Sequence, residues 1–447
     1  MKRTLRSIRC GWILLATALA IVAARPWAAS QPPVSAPQTE EPLPAEMVTI
    51  DIHAVEAAAY RIGIPDLLGA APHAVDGAQV LRNDFRIMPG YRVIDERAVR
   101  HDVRAEGLDI QRSAWAALQA NGVIKGEVRV EEDALRIEMR FHELARAGGP
   151  VLQRTYTGAP SELRRFMHDF ANEVLFAITG VRGVFGTKVA YARREGRGRK
   201  DVFVADMDGY GPRRVSPAEG ISMLPGLEPN GRVWFTRLTP RGVFITHSEA
   251  AGARIIESSG MNMGPVPCGN RLLFSSSRDG NSEIYSARLD GTGLRRLTNH
   301  PAIDVSPACG PDGQIAFVSN RHGSPQIWVM GEDGSNPTRL TYRGNHNQTP
   351  AWCPLPGRRL LAFSGRDVTF DVFTIDLATN TYTRLTQGQG TNKDPAWSPD
   401  CRMIAFASDR RGAPGLYLSS PQGYNQTRVV EGPVETVRWA PPLAASR

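Results

Sequence analysis

From residue 184 onward, apolar positions come in short bursts and not with a helical period. An apolar-apolar-aromatic trio recurs six times: Val189-Ala190-Tyr191, Val233-Trp234-Phe235, Leu272-Leu273-Phe274, Ile315-Ala316-Phe317, Leu361-Ala362-Phe363 and Ile404-Ala405-Phe406. The copies stand 39 to 46 residues apart, the period of a propeller blade. About a dozen residues after each trio comes an aliphatic-aromatic pair, Val202-Phe203, Val243-Phe244, Ile284-Tyr285, Ile327-Trp328, Val372-Phe373 and Leu416-Tyr417, read as in phase in every copy. A closing strand follows at Arg296-Leu297-Thr298, Arg339-Leu340-Thr341 and Arg384-Leu385-Thr386, with Arg214-Val215-Ser216 and Arg428-Val429-Val430 as weaker copies. Asp208-Gly209, Asp290-Gly291 and Asp333-Gly334 supply tight turns, where a hairpin needs positive φ.

A fourth element precedes the trio at Ser306-Pro307-Ala308-Cys309, Thr349-Pro350-Ala351-Trp352-Cys353 and Asp394-Pro395-Ala396-Trp397. The first trio has no such element before it, while Glu435-Thr436-Val437-Arg438-Trp439 has no trio after it. The C-terminal strand therefore belongs to the first blade, and the pattern predicts a six-bladed β-propeller over residues 184–447 whose ring it closes.

Residues 47–183 read as an α/β domain. Val48, Ile50 and Ile52 alternate with polar residues, and a second strand covers Tyr60 to Ile64. Helices are predicted at His73 to Phe85, at Ile110 to Asn121 ended by Gly122, and at Ser161 to Thr179 with Ser161 as N-cap and Gly180 as terminator. Val123 to Val130 and Leu135 to Leu144 form a hairpin about a Glu-Glu-Asp turn, with Val151 to Tyr156 as third strand.

The first 29 residues stand apart. Lys2, Arg3, Arg6 and Arg9 precede an apolar run from Trp12 to Ala24, too short to span a bilayer comfortably and followed by the small residues Ala28-Ala29. This is the pattern of a secretory signal cut near Ala28 or Ala29, which leaves no transmembrane segment in the mature chain. Without the leader, which has five basic residues and no acid, the net charge falls from +8 to +3. The basic cluster Arg193, Arg194, Arg197, Arg199 and Lys200 is then a single solvated loop, which argues against nucleic-acid binding. Residues 30–46 carry five prolines and almost no bulky apolar side chain, so they form a semi-extended tail. The 43 Gly, 33 Pro and 22% charged residues of the 447-residue chain suit short strands and tight turns.

Catalytic parts are not expected. There is no G-x-S-x-G and no H-E-x-x-H, and Asp206-Met207-Asp208-Gly209 lacks the remaining ligands of a calcium loop, so neither a catalytic residue, a metal nor a cofactor is assigned. Cys268, Cys309, Cys353 and Cys401 allow three full pairings or free thiols.

The junction F-x-H-x-x-A-N-E-x-x-x-x-I-T-G-x-x-G-x-F-x-T-K-V-A-Y, from Phe166 through His168, Gly180, Gly183 and Phe185 to Tyr191, resembles the TolB family, as does G-N-H-N-Q-T-P-A-W from Gly344 to Trp352. Trp115 through Gly122 to Gly126 matches more loosely. The resemblance implies a non-enzymatic, periplasmic member of the Tol-Pal envelope system, acting as a monomer in a larger complex. It would link the lipoprotein Pal to TolA through the N-terminal tail, support outer-membrane integrity and invagination at division, and in the family serve colicin import. It places the partner at the channel mouth, on the loops Ile303 to Ser306, His346 to Thr349 and Asn392 to Asp394. Asp304, His346, Asn347, Gln348, Thr349, Asn392 and Asp394 are the candidate contacts, short polar groups suited to gripping another protein's loops. The first two repeats depart from the pattern, with Leu227-Glu228-Pro229-Asn230-Gly231 and Pro267-Cys268-Gly269-Asn270 in place of Ser-Pro-Asp-Gly, and the second lacks an Arg-Leu-Thr strand. Other readings are an exported scaffold or glycan-binding propeller outside Tol-Pal, and the propeller of a peptidase.

Overall fold

The computed structural model describes residues 59–441, so the expected leader, tail and Val48 to Ile52 strand lie outside the described residues. The first domain contains β1 (Tyr60–Gly63), β2 (Leu68–Gly69), α1 (His73–Ile87), β3 (Tyr91–Val93), α2 (Arg112–Ala117), β4 (Gly122–Glu131), β5 (Ala134–Glu143), β6 (Leu152–Gly158) and α3 (Leu163–Thr179). Its sheet runs β3-β1-β4-β5-β6, with β2 beside β4. The β1–β3 and β1–β4 pairs are parallel, and β4, β5 and β6 pair antiparallel. One face buries Leu81, Phe85, Phe141, Phe170 and Val174 against α1 and α3, and the other buries Ile94, Trp115 and Val123.

Two local expectations are corrected. The second helix is only Arg112–Ala117, because Gln119 turns left-handed at φ 56 and Asn121 is drawn onto β1, its Oδ1 accepting from Arg61 N at 2.7 Å. Gly122 opens β4, where a Cβ would lie 2.6 Å from the Phe141 ring. Ser161 lies inside a 3-10 turn, Pro160–Glu162, and it is the Glu162 carboxylate that accepts an N–H, from Ala159 at 3.1 Å. Gly180 does terminate α3, at φ 72.

The second domain is a β-propeller. Its strands are β7 (Lys188–Gly196), β8 (Arg199–Asp206), β9 (Arg213–Arg214), β10 (Ile221–Leu227), β11 (Val233–Thr239), β12 (Gly242–His247), β13 (Asn262–Cys268), β14 (Arg271–Ser276), β15 (Glu283–Arg288), β16 (Arg295–Arg296), β17 (Asp304–Cys309), β18 (Gln314–Ser319), β19 (Gln326–Gly331), β20 (Thr338–Arg339), β21 (Asn347–Trp352), β22 (Leu360–Arg366), β23 (Phe370–Asp376), β24 (Thr381–Arg384), β25 (Asn392–Trp397), β26 (Ile404–Ser408), β27 (Gly415–Ser419), β28 (Thr427–Glu431) and β29 (Val434–Trp439). Strands β13 to β28 form four four-stranded sheets. The other seven strands form one sheet instead of the two separate blades expected, because a single parallel bridge, Ile221 to Lys200, joins β10 to β8. Among the described residues the second repeat also lacks a closing strand, and β12 meets only Ile256 at its outer edge. As the pattern required, β29 pairs with β7. β29 also packs beside both β25 and β10, so the innermost strands run round a closed ring.

The repeat markers have physical causes. Trio and pair aromatics face each other across the ladder as Tyr191–Phe203, Phe274–Tyr285, Phe363–Phe373 and Phe406–Tyr417, stacked with centroids 5.6 to 6.0 Å apart. Each such pair adds about 0.5–1.5 kcal/mol beyond its buried area. The second repeat breaks phase: a short turn sets Phe244 opposite Arg237, and Phe235 opposite Thr246. The threonine of Arg-Leu-Thr works twice. Thr298, Thr341 and Thr386 accept the N–H of Ile284, Ile327 and Val372, and donate to Glu283, Gln326 and Asp371 at 2.5 to 2.7 Å.

The α/β domain docks on the end of the propeller opposite to where the innermost strands start. Asn172 brackets Phe185 with two hydrogen bonds of 3.0 Å, and Gly183 leaves room, since a Cβ there would lie 2.3 Å from Asn172 Oδ1. Arg164 Nη2 donates to Asp208 Oδ2 at 2.7 Å and lies 3.2 Å from His168 Nε2. A guanidinium only donates, so Nε2 accepts and His168 Nδ1 donates to Asp84 Oδ2 at 2.8 Å. Asp84, His168 and Asp208 bring ligand-type atoms within 4.8 Å of one another, but Arg164 occupies the place a cation would take. Asp84 is 1% exposed and its Oδ1 has no partner.

Two disulfides, Cys268–Cys309 and Cys353–Cys401, each tie one four-stranded sheet to the next, resolving the open pairing. They close segments of 41 and 48 residues. By chain entropy each stabilises the fold by about 4 kcal/mol. Replacing Cys353 and Cys401 by serine should lower the denaturant-unfolding free energy by about 2–5 kcal/mol, and an unchanged midpoint would show that the bond contributes nothing.

Burial raises the Asp84 carboxyl from 3.8 to about 6, against the lowering effect of its His168 hydrogen bond. A folded-state value above the unfolded one means the folded chain binds this proton more tightly. The group's contribution to stability is therefore gained as pH falls through about 6 toward 4 and lost as pH rises. Asp84→Asn should raise the melting temperature at pH 7.5 and flatten its pH dependence between 7 and 4. A lower melting temperature at pH 7.5 would mean that the ionised Asp84–His168 pair is net stabilising.

Candidate partner-binding mouth

The mouth is the end of the ring where β13, β17, β21, β25 and their counterparts β10 and β29 begin. Each innermost strand carries a bulge, between Met223 and Gly226, Met263 and Val266, Val305 and Ala308, Gln348 and Ala351, Lys393 and Ala396, and Glu435 and Arg438. A left-handed residue sits inside each: Leu224, Gly264, Ser306, Thr349, Asp394 and Thr436, at φ between 49 and 65. The bend turns those N–H groups toward the neighbouring sheet. Ser306 N donates to Ser275 Oγ at 3.1 Å, Asp394 N to Ser364 Oγ at 3.0 Å, and Thr436 N to Asp394 Oδ2 at 2.9 Å.

The structure divides the seven candidate residues. Asp304, Asn347 and Asn392 are fully buried at the seams between sheets, so their side chains are not rim groups as expected. Asp304 pairs with Arg321 at 2.7 Å, and burial raises its carboxyl. Asn347 Nδ2 donates to Gln326 Oε1 at 2.8 Å. Asn392 donates to Asp371 at 3.2 Å and accepts from Ser408 at 2.8 Å. The physical reason is position: they open their strands, opposite the polar head of the preceding sheet's third strand, and a dry seam requires those groups to be paired. His346 is 9% exposed, edge-on to Phe370 at 5.1 Å, with Nε2 donating to Gln348 Oε1 at 3.2 Å. Burial lowers its pKa, and the Arg366 and Lys393 cations lower it further. Gln348, Thr349 and Asp394 remain half-buried.

Sequence reading missed two groups of residues. Arg278, Arg321 and Arg410 clamp the first residue of their own innermost strand, Asn262, Asp304 and Asn392, at 2.9, 2.7 and 3.5 Å. Their recurrence four residues after the aromatic of the third, fourth and sixth trios was the available signal. Three apolar side chains lie exposed in connections at the mouth end: Met261 (47%), Tyr342 (51%) and Val368 (94%). An isolated valine in a polar turn gives no periodic signal.

The fold defines the class: a β-propeller carrying an α/β domain in front. A family model described as TolB amino-terminal domain matches residues 48–148, and one described as TolB beta propeller domain matches residues 176–356 and 345–441. The chain belongs to the TolB family. It is 30% identical over 403 residues to the Tol-Pal system protein TolB of Bordetella pertussis, covering 88% of this chain and 90% of that protein. A protein TolB homolog of Chlorobium luteolum is 33% identical over 219 residues, 48% of this chain and 50% of that protein. The crystal structure of TolB from Acinetobacter baumannii shares the fold, with a TM-score of 0.73 at 21% identity over 86% of this chain and 97% of that one.

Asn392→Ala removes a donor from buried Asp371 and should cost about 1–3 kcal/mol in denaturant unfolding. An unaltered unfolding curve would remove Asn392 from the seam and return it to the candidate contacts.

Proposed function

We propose that the chain is the non-enzymatic, periplasmic component of a Tol-Pal envelope system, holding a Pal-type lipoprotein at the propeller mouth and contacting a TolA-type inner-membrane protein through its N-terminal tail. Its role is then outer-membrane integrity and invagination at division. The observation that carries the reading is similarity to Tol-Pal system proteins TolB along nearly the whole chain. The mouth end supports it with half-buried Gln348, Thr349 and Asp394 and exposed Met261, Tyr342 and Val368, polar and apolar groups suited to a protein partner. His346 backs Gln348, while Asp304, Asn347 and Asn392 hold the strands that present these groups. The two disulfides fit an oxidising compartment.

The seven-stranded sheet is read as two blades joined by one bridge, which makes the propeller six-bladed, with residues 1–29 as signal peptide, 30–46 as tail, 47–183 as α/β domain and 184–447 as propeller. The test is calorimetric titration of the mature protein with the same organism's peptidoglycan-associated lipoprotein. Wild type should bind at micromolar affinity or tighter, and Gln348→Ala, Asp394→Ala or Val368→Asp should each weaken binding by about tenfold, a loss of about 1.4 kcal/mol. No binding by folded wild type would sink the Tol-Pal assignment, and binding indifferent to all three changes would move the contact off the mouth.

A further inference from the structure

A cleft of about 580 Å³ opens beside the edge strand of the α/β domain, far in sequence from the propeller mouth. Its walls are β1, β3 with the residues that follow it, and the turn between α2 and β4. Arg61 and Arg92 both line it. They are register partners in the parallel β1–β3 pair, so their side chains leave the same face of the sheet about 4.8 Å apart. Like charges placed side by side on one face destabilise a sheet, and among the described residues neither guanidinium lies within ion-pair distance of an acid. By contrast Arg82, on the neighbouring helix α1, reaches both Asp66 and Glu96, at 2.9 and 2.8 Å.

The hydrogen bonding of Arg61 is also incomplete. Its Nη2 donates to Leu118 O at 3.1 Å, while Nε is shielded from water and has no partner among the described residues. The single acid lining the cleft among the described residues, Asp95, is turned to its own segment: its Oδ1 accepts from Arg97 N at 2.9 Å and lies 4.0 Å from the Arg97 guanidinium. Gln119, exposed and left-handed at φ 56, adds an amide at the rim. Two adjacent guanidinium forks in a concave site are suited to a planar or tetrahedral oxyanion, which each can grip with two parallel N–H donors.

We propose that this cleft is an oxyanion-binding site in which Arg61 and Arg92 together hold a carboxylate or phosphate group. The site is independent of the propeller mouth and of the Tol-Pal reading. The test uses the mature protein at constant ionic strength in chloride, titrated with inorganic phosphate and, separately, with N-acetylglutamate, following heat and melting temperature. Arg61→Gln and Arg92→Gln are run beside wild type. Wild type should bind one or both anions saturably, and each variant should weaken that binding at least about tenfold, the loss expected of a removed charge-assisted pair. Saturation with phosphate alone or with N-acetylglutamate alone assigns the source of the oxyanion. Arg92 is exposed and its replacement relieves the like-charge pair, so its variant should melt at or slightly above the wild-type temperature without ligand, and its lost response to anion then reports on binding. A non-saturating stabilisation shared equally by all three proteins, or no response to either anion, overturns the proposal.

Discussion

Every seam between neighbouring sheets must stay dry, and each is crossed by polar main-chain and side-chain groups that dryness obliges to pair. The solution recurs near the head of the third strand in four of the repeats. Asp201, Glu283, Gln326 and Asp371 each receive a hydroxyl from the end of the fourth strand, and three of them also hold the arginine two residues before it. Gln326 and Asp371 reach across as well to the asparagine that opens the next innermost strand. One side chain thus joins two strands of its own sheet to the first strand of the next. An interaction of this kind has a high cost if half made, which explains why the same residue types return at a fixed offset in repeat after repeat.

The same constraint decides what a partner can touch. Residues that open an innermost strand are consumed by the seam, while those one or two positions further on are bent outward by the left-handed bulge. Asn392 and Asp394 illustrate the division within three residues: the first is sealed between sheets, and the second keeps one face toward the mouth while its carboxylate steadies Thr436. His346 stands between these roles, packed on Phe370 yet bonded to half-buried Gln348.

Much of the architecture was legible in the chain because the propeller writes itself as a repeat. The trios, pairs and closing strands mark three strands in every repeat but the second, and counting their leftovers correctly predicted that residues near 434–439 pair with residues near 188–196. Features that depend on contacts distant in sequence were not legible. The Ile221 to Lys200 bridge and the shortening of the second helix by Asn121 arise where a segment meets an unrelated one, while the shift of Phe244 out of register comes from a short local turn that breaks the repeat. At the mouth the repeat pointed to the strand starts but not to which of their side chains stay accessible. Polar side chains at strand starts look alike in sequence, whether they face a neighbouring sheet or water.

The pairing of β29 with β7 has a consequence for how the chain comes into being. Strand β7 is complete early in synthesis, but its partner is made some 240 residues later. Until then the first-made strand keeps an open edge, and every blade added between them lacks a closed circle to lean on. Order in time therefore runs opposite to order in space: the neighbours that finish the circle are the most widely separated in their moment of emergence. A helper that shelters nascent chains would have most to protect at this one edge, and a chain broken off shortly before residue 434 would carry nearly every strand and still be unable to close.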